Sequence, residues 1–154
     1  AGGDPSLPGL SCLRGLLSGT DATARAARQG LMETRASLPR KKLPVLVIHG
    51  ADDGLVPAAF SGAAYARWAK AAGRDVRYWR VANPQHFVAF LAMPALAATY
   101  VPILPYAYHG LDAMWAQVAE AKPLPGDAEI TSKPRDVVGT SLAPLASDNL
   151  GILP

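Results

Sequence analysis

Two short apolar runs punctuate a chain otherwise built of alanine-rich and charged stretches at helical spacing. The first, residues 43–48 (Leu-Pro-Val-Leu-Val-Ile), is continuous and β-branched, the pattern of a central strand buried on both faces of a parallel sheet. The second, residues 76–81, alternates β-branched and aromatic residues with arginines and predicts the next strand. Between them Pro57 opens a helix to about Ala72, with Phe60, Ala64, Trp68 and Ala71 on one face and Gly73 at its end. Upstream, residues 1–20 are rich in Gly, Ser and Pro and read as a loop. Thr20 or Asp21 then caps a helix running to about Ser37, before Pro39. Downstream, a short helix interrupted near Pro94 is expected within residues 87–98, and a longer one over residues 106–119. From Pro123 the chain reads as an extended tail laid over a surface.

Strand, helix, strand, helix in this rhythm predicts a parallel α/β sheet. Two parallel strands cannot bury their own faces, so the sheet is expected to be completed by strands from outside this sequence. The organisation reads as a leading loop and helix (1–42), a core (43–120) and an extended C-terminal tail (121–154).

Composition changes this picture little. Half of the 154 residues are hydrophobic, 18% are charged, and the net charge is +3. The one tight basic cluster, Arg40-Lys41-Lys42, reads as the solvated approach to the first strand. No helix carries a dense basic face, so no nucleic-acid partner is expected. Residues 81–111 lack Lys, Arg, Asp and Glu, yet Pro84, Pro94, Pro102 and Pro105 break the stretch, so no membrane span is expected. Residues 1–5 have neither the basic start nor the apolar segment of a signal peptide. Cys12 stands alone and reads as a free buried thiol. Three scattered histidines and one cysteine give no metal-ligand spacing, and neither metal nor cofactor is expected.

Chemistry gathers where the two strands end, which is where open α/β sheets bind ligands. His49-Gly50-Ala51-Asp52-Asp53-Gly54-Leu55-Val56-Pro57 follows the first strand, and Asn83-Pro84-Gln85-His86-Phe87 follows the second. An acid after one strand and a histidine after the next is the tail of the Ser…Asp…His order of α/β-hydrolases. H-G-x-x-D-x-x-V-P, on His49, Gly50, Asp53, Val56 and Pro57, resembles the acid turn of that superfamily. Gln85-His86-Phe87 resembles its histidine loop. The resemblance makes this the C-terminal part of an α/β-hydrolase fold, with Asp53 and His86 as catalytic acid and base. Asp52 competes for the acid role, but the spacing from Gly50 selects Asp53, leaving Asp52 a turn or capping bond. His49 reads as a local packing or bonding residue and His109 as a partly buried histidine of the last helix.

A closer resemblance extends over nearly the whole chain. Residues 43–104, Pro105-Tyr-Ala-Tyr-His-Gly-Leu-Asp-Ala-Met-Trp115, the Pro-Leu-Pro-Gly-Asp127 stretch and the opening Gly-Asp-Pro-Ser-Leu-Pro-Gly-Leu-Ser-Cys-Leu13 are similar to the C-terminal end of bacterial D-(−)-3-hydroxybutyrate oligomer hydrolases. The resemblance implies a serine ester hydrolase cutting soluble (R)-3-hydroxybutyrate oligomers to monomer, downstream of a polyester depolymerase. It favours a secreted or periplasmic setting and leaves the cytoplasm open. The family's chains are several times longer, so the nucleophilic serine is expected on a larger N-terminal chain or segment, the partner of this one. Ser11, in Gly9-Leu10-Ser11-Cys12-Leu13, lacks the second glycine and a preceding strand, and Cys12 fails likewise. Phe87 and Phe90 are the candidates for lining an acyl pocket. Trp68, Tyr78, Trp79, Tyr100, Tyr106, Tyr108 and Trp115 read mostly as core. The same two motifs leave open a tannase- or feruloyl-type esterase, an oligopeptidase, or a non-catalytic structural fragment.

Overall fold

A computed structural model describes residues 4–151 and 153–154. The chain divides into two compact units at Leu38 and Pro39.

The first unit is a helical hairpin, α1 (Leu7–Ser18) and α2 (Ala22–Glu33). The expectation of a loop through residue 20 is thus corrected for α1, and residues 1–3 lie outside the described residues. Pro8 falls in the first turn of α1, where its missing N–H costs nothing, and Leu10, Leu13, Leu16 and Leu17 outweigh the glycines. Asp21 caps α2 by accepting from the Ala24 amide at 2.9 Å. The Arg28 guanidinium donates to the Gly19 carbonyl at 2.6 Å and ties the connecting turn. The α2 helix stops at Glu33, short of Ser37. Cys12 is exposed on α1, not buried as expected.

The second unit is built on a parallel sheet of β1 (Val45–Gly50), β2 (Val76–Val81) and β3 (Ala128–Ile130), in that order. Val45 pairs with Val76 and Gly50 with Val81, so β1 and β2 end level. The third strand corrects the reading of the tail. Ala-Glu-Ile is too short to show a period, and its placement comes from side chains around it. Asp127 accepts from the Tyr78 amide at 2.9 Å and pairs with Lys70. The Trp79 indole donates to the Gly126 carbonyl at 3.0 Å, and Asn83 donates to the Ser132 carbonyl at 2.8 Å. A short hairpin, β4 (Val137–Val138) and β5 (Ser141–Leu142), and a terminal turn of helix α6 (Ser147–Leu150) follow.

Helices cover both faces of β1, making a layered α/β arrangement. Successive strand residues face opposite ways. His49 meets Gly62 of α3 (Gly62–Ala71), while Leu46 and Ile48 meet Gly110 of α5 (Leu104–Glu120). The buried face of α3 is Ala66 and Ala69, not the expected face, from which Phe60 is 87% exposed. Trp79, Val81, Val101, Tyr106 and Ile130 form the core, with Leu46 and Ile48 packed against it. Of the aromatic residues read as core, Trp79 and Tyr106 are buried, but Trp68, Tyr108 and Trp115 are exposed.

Between β2 and α5 the chain makes an excursion through a 3₁₀ turn (Val88–Ala92) and α4 (Pro94–Ala97). Its ends are held together by a parallel bridge between Pro84 and Val101, with the Val101 amide 3.4 Å from the Asn83 carbonyl. Among the described residues β1 has no neighbour beyond β2, and no helix is long and apolar enough to cross a membrane.

The α5 helix lies so close to β1 that a Cβ at Gly110 would stand 2.7 Å from the Ile48 Cδ1 and 3.0 Å from the Leu46 Cδ2. Gly110→Val is therefore expected to destabilise the complete protein by about 1–3 kcal/mol through overpacking. Gly30→Ala on α2, where a Cβ meets nothing, should stabilise slightly. Thermal unfolding of the two variants checks the pair.

Candidate active site

Parallel pairing in level register brings the turns after β1 and β2 side by side. Gly50 permits the contact: a Cβ there would lie 2.4 Å from the Pro84 carbonyl oxygen. Asn83 takes a left-handed conformation (φ 69°) as β2 gives way to the histidine loop. Asparagine is among the residues that adopt it readily.

The two sequence-predicted residues meet across this junction. The His86 Nδ1 lies 2.8 Å from the Asp53 Oδ2. The Asp53 side chain is 9% exposed and that of His86 is 32% exposed. Asp53 Oδ1 accepts from the amides of Val56 at 2.8 Å and Leu55 at 3.0 Å, so the carboxylate satisfies its own turn with one oxygen and the histidine with the other. Burial acts to raise the Asp53 pKa, but the Val56 amide, His86 and the Leu55 amide together hold it below the ordinary carboxylate value. An ionised acceptor on Nδ1 leaves Nε2 as the nitrogen that exchanges protons. Among the described residues no group bonds Nε2, and it belongs to the more exposed partner of the pair.

His49 sits beneath the acid turn, with Nε2 2.9 Å from the Val56 carbonyl oxygen and 3.7 Å from the Asp53 Oδ2. Asp52 is exposed, and among the described residues its carboxylate takes none of the turn or capping bonds expected of it. His109 is elsewhere, its ring against Trp79 at 5.7 Å and its Nε2 2.7 Å from the Pro154 carbonyl oxygen.

The two phenylalanines part company. Phe87 is half exposed and packs edge-on to the His86 ring at 4.5 Å. Phe90 lines a mainly apolar cavity of about 270 Å³ with Gly54, Leu55, Gln85, Met93, Leu96 and Tyr100. Gln85 closes one side, its Oε1 accepting from the Gly54 amide at 3.3 Å. Sequence reasoning missed the parts played by Leu55, Gln85, Met93 and Leu96. The Gln85 contact depends on closure of the acid turn, which no periodicity encodes. Only the absence of charge across residues 81–111 hinted at the apolar wall.

No serine in the sequence stands in G-x-S-x-G. Ser11 is in the middle of α1. Gly139-Thr140-Ser141-Leu142-Ala143 comes nearest in pattern, but Ser141 starts the second strand of the β4–β5 hairpin. Neither has the strand-to-helix turn that exposes a nucleophile. Among the described residues no three His, Cys, Asp or Glu side chains are grouped as metal ligands.

Comparison with known proteins agrees along the whole length. The family model described as 3HB-oligomer hydrolase (3HBOH) matches residues 2–153. A D-(−)-3-hydroxybutyrate oligomer hydrolase of Paracidovorax citrulli is 37% identical over 137 residues, 84% of this chain and 19% of the relative. Those of Albidiferax ferrireducens and Ralstonia pickettii are 35% and 32% identical, covering 96% and 94% of this chain and 21% and 20% of the relatives. The chain thus spans about a fifth of the length of the curated relatives it matches. No solved structure matches. With a model match over residues 2–153 and relatives above 30% identity, the chain belongs to the 3HB-oligomer hydrolase family.

Proposed function

We propose that this chain is the C-terminal part of a serine carboxylic-ester hydrolase of the α/β-hydrolase superfamily, supplying Asp53 and His86 of a Ser-Asp-His triad that cleaves (R)-3-hydroxybutyrate oligomers to monomer. The observation that carries the reading is the 2.8 Å contact between Asp53 and the His86 Nδ1, at the ends of adjacent parallel strands and in the order acid, then histidine. Family membership and the apolar cavity beside the pair support the substrate.

His86 Nε2 takes the proton of the serine hydroxyl as its oxygen attacks the ester carbonyl. The tetrahedral intermediate collapses as the same nitrogen returns the proton to the departing alkoxide, freeing the alcohol end of the oligomer. His86 then takes a proton from water as its oxygen attacks the acyl-enzyme, and returns that proton to the serine oxygen as the acid is released. Asp53 stays ionised throughout, fixing the tautomer and stabilising the imidazolium. General acid–base help of this kind is worth about 10²–10⁴ in rate.

The serine belongs, in this reading, to the part of the family chain outside this sequence. Two surfaces support a partner segment. Among the described residues the outer edge of β1 is unpaired, although residues 45–48 are apolar on both faces. On α5, Leu104, Tyr108, Leu111, Trp115 and Val118 form an exposed stripe at alternating spacings of four and three, with Trp115 69% exposed. Such a stripe fits a second helix packed alongside, as the next helix on that face of a continued sheet would be.

The substrate assignment predicts that the complete enzyme converts 3-hydroxybutyrate dimers and trimers to monomer, preferring the (R) isomer. Chromatography of the products against aryl esters, gallate esters and peptides tests it. Untouched hydroxybutyrate oligomers beside cleaved peptides or gallates would replace this reading with an oligopeptidase or a tannase-type esterase.

A further inference from the structure

We infer that His49 is a positioning residue for the acid–base pair: its imidazole holds the acid turn closed and thereby aims the Asp53 carboxylate at His86. The inference rests on the serine-hydrolase reading above and adds a third side chain to that machinery.

The argument starts from hydrogen-bond chemistry. A carbonyl oxygen only accepts, so the 2.9 Å contact between the His49 Nε2 and the Val56 carbonyl places a hydrogen on Nε2. That nitrogen also lies 3.7 Å from the Asp53 Oδ2, the oxygen that His86 uses. Val56 is thus held at both ends. Its amide donates to the Asp53 Oδ1 at 2.8 Å, and its carbonyl receives His49. The strand end that carries His49 is thereby tied across the turn to its far side, with Asp53 between.

Packing fixes the ring as firmly as bonding does. The His49 side chain is 12% exposed. A Cβ on Gly62, at the start of α3, would fall 2.4 Å from the His49 Nδ1, so only glycine admits the imidazole there. The Ser61 hydroxyl donates to the Pro57 carbonyl at 2.8 Å and secures the segment that follows. Without the imidazole, the Val56 carbonyl keeps only the longer Ser61 hydroxyl contact at 3.3 Å, and the far side of the turn loses its tie to the end of β1. Asp53 would keep its two amide bonds but lose its fixed direction. Misplacement of a catalytic group by an ångström costs on the order of 100-fold in rate.

The test uses His49→Phe, which keeps the ring shape without the donor, and His49→Gln, whose amide reaches about as far as Nε2. Both are made in the complete enzyme, beside His86→Ala. His49→Phe is expected to lower kcat about 10- to 100-fold with a much smaller change in KM, because Phe90, Met93, Leu96 and Tyr100, most of the cavity wall, lie outside the acid turn. The acid limb of its kcat/KM profile should move to lower pH, since a poorly aimed carboxylate stabilises the imidazolium less. His49→Gln should return kcat to within about threefold of the parent and restore the limb. If His49→Phe fails to fold, Gly62→Ala, which displaces the same ring, is expected to give the same limb shift. Unchanged kcat in His49→Phe, a loss of kcat with an unmoved acid limb, or a His49→Gln no better than His49→Phe would each overturn the inference. Retained activity in His86→Ala would instead sink the underlying triad reading. An inactive His86→Ala beside a fully active His49→Phe removes only the role of His49.

Discussion

His86→Ala and Asp53→Asn, each made in the complete enzyme, are expected to lower kcat by about 10³-fold or more without disturbing the fold. The two losses have different causes. On the proposed triad, alanine at 86 removes the imidazole that moves the serine proton. Asparagine at 53 keeps an oxygen for the Leu55 and Val56 amides, but its amide nitrogen donates toward Nδ1 and turns the imidazole to the wrong tautomer. Asp52→Asn and His109→Gln should stay within about tenfold of the parent, because neither side chain touches the pair. Steady-state kinetics on a hydroxybutyrate dimer, with circular dichroism as the fold control, decides. Loss on His109→Gln with retention on His86→Ala would reverse the assignment. Asp53→Asn also has a signature in stability. The folded-state pKa of Asp53 is depressed, so its contribution is fully present above the unfolded value and lost as pH falls through the lowered folded one. The variant should lack that part of the acid-side decline.

The other large effect is all-or-none. Residues 1–154 prepared alone are expected to aggregate or fold poorly and to hydrolyse no ester. Addition of the remaining, larger part of the family polypeptide should yield a complex that reacts with a serine-directed phosphonate, the label landing on the added part. The expectation combines a good acid–base pair with the absence of any G-x-S-x-G in 154 residues. The β1 edge, unpaired among the described residues, and the exposed α5 stripe are the reasons to expect poor behaviour of the isolated chain. Mass spectrometry of the labelled complex locates the serine. A stable, monomeric and active 154-residue protein would overturn the proposal and return Ser11 to consideration.

What the sequence made legible follows from where the information resides. Strands β1 and β2 were readable because short β-branched runs bounded by polar turns stand out locally, the first by continuity and the second by alternation. The meeting of Asp53 with His86 was readable because short turns at the ends of paired strands leave little freedom in spacing. Strand β3 was not, since three residues have no period and their place is set by Asp127, Trp79 and Ser132 bonding at long range. Helix α1 was hidden by Pro and Gly, whose position in the first turn matters more than their number. The α3 face was misjudged because alanines 66 and 69, not the larger Phe60 and Trp68, approach the sheet closely. Hydrophobicity ranks those faces in the opposite order. His49 looked like a local residue, and its bond to Val56 is local. Its importance depends on the turn it closes, which only three dimensions display.

The bridge between Pro84 and Val101 has a consequence for how such an enzyme diversifies. Phe90, Met93, Leu96 and Tyr100, which wall the cavity, all lie inside the excursion that this bridge pins at its base. The histidine stands at the excursion's root and the acid lies outside it altogether. Loop segments anchored in this way tolerate insertion and replacement. If the proposed site is right, a lineage or a library can rewrite residues 88–100 and sample new acyl chains while keeping Asp53 and His86. On the proposed reading, recombination just after Phe87 and just before Val101 would exchange substrate preference as a cassette and leave His86 in place.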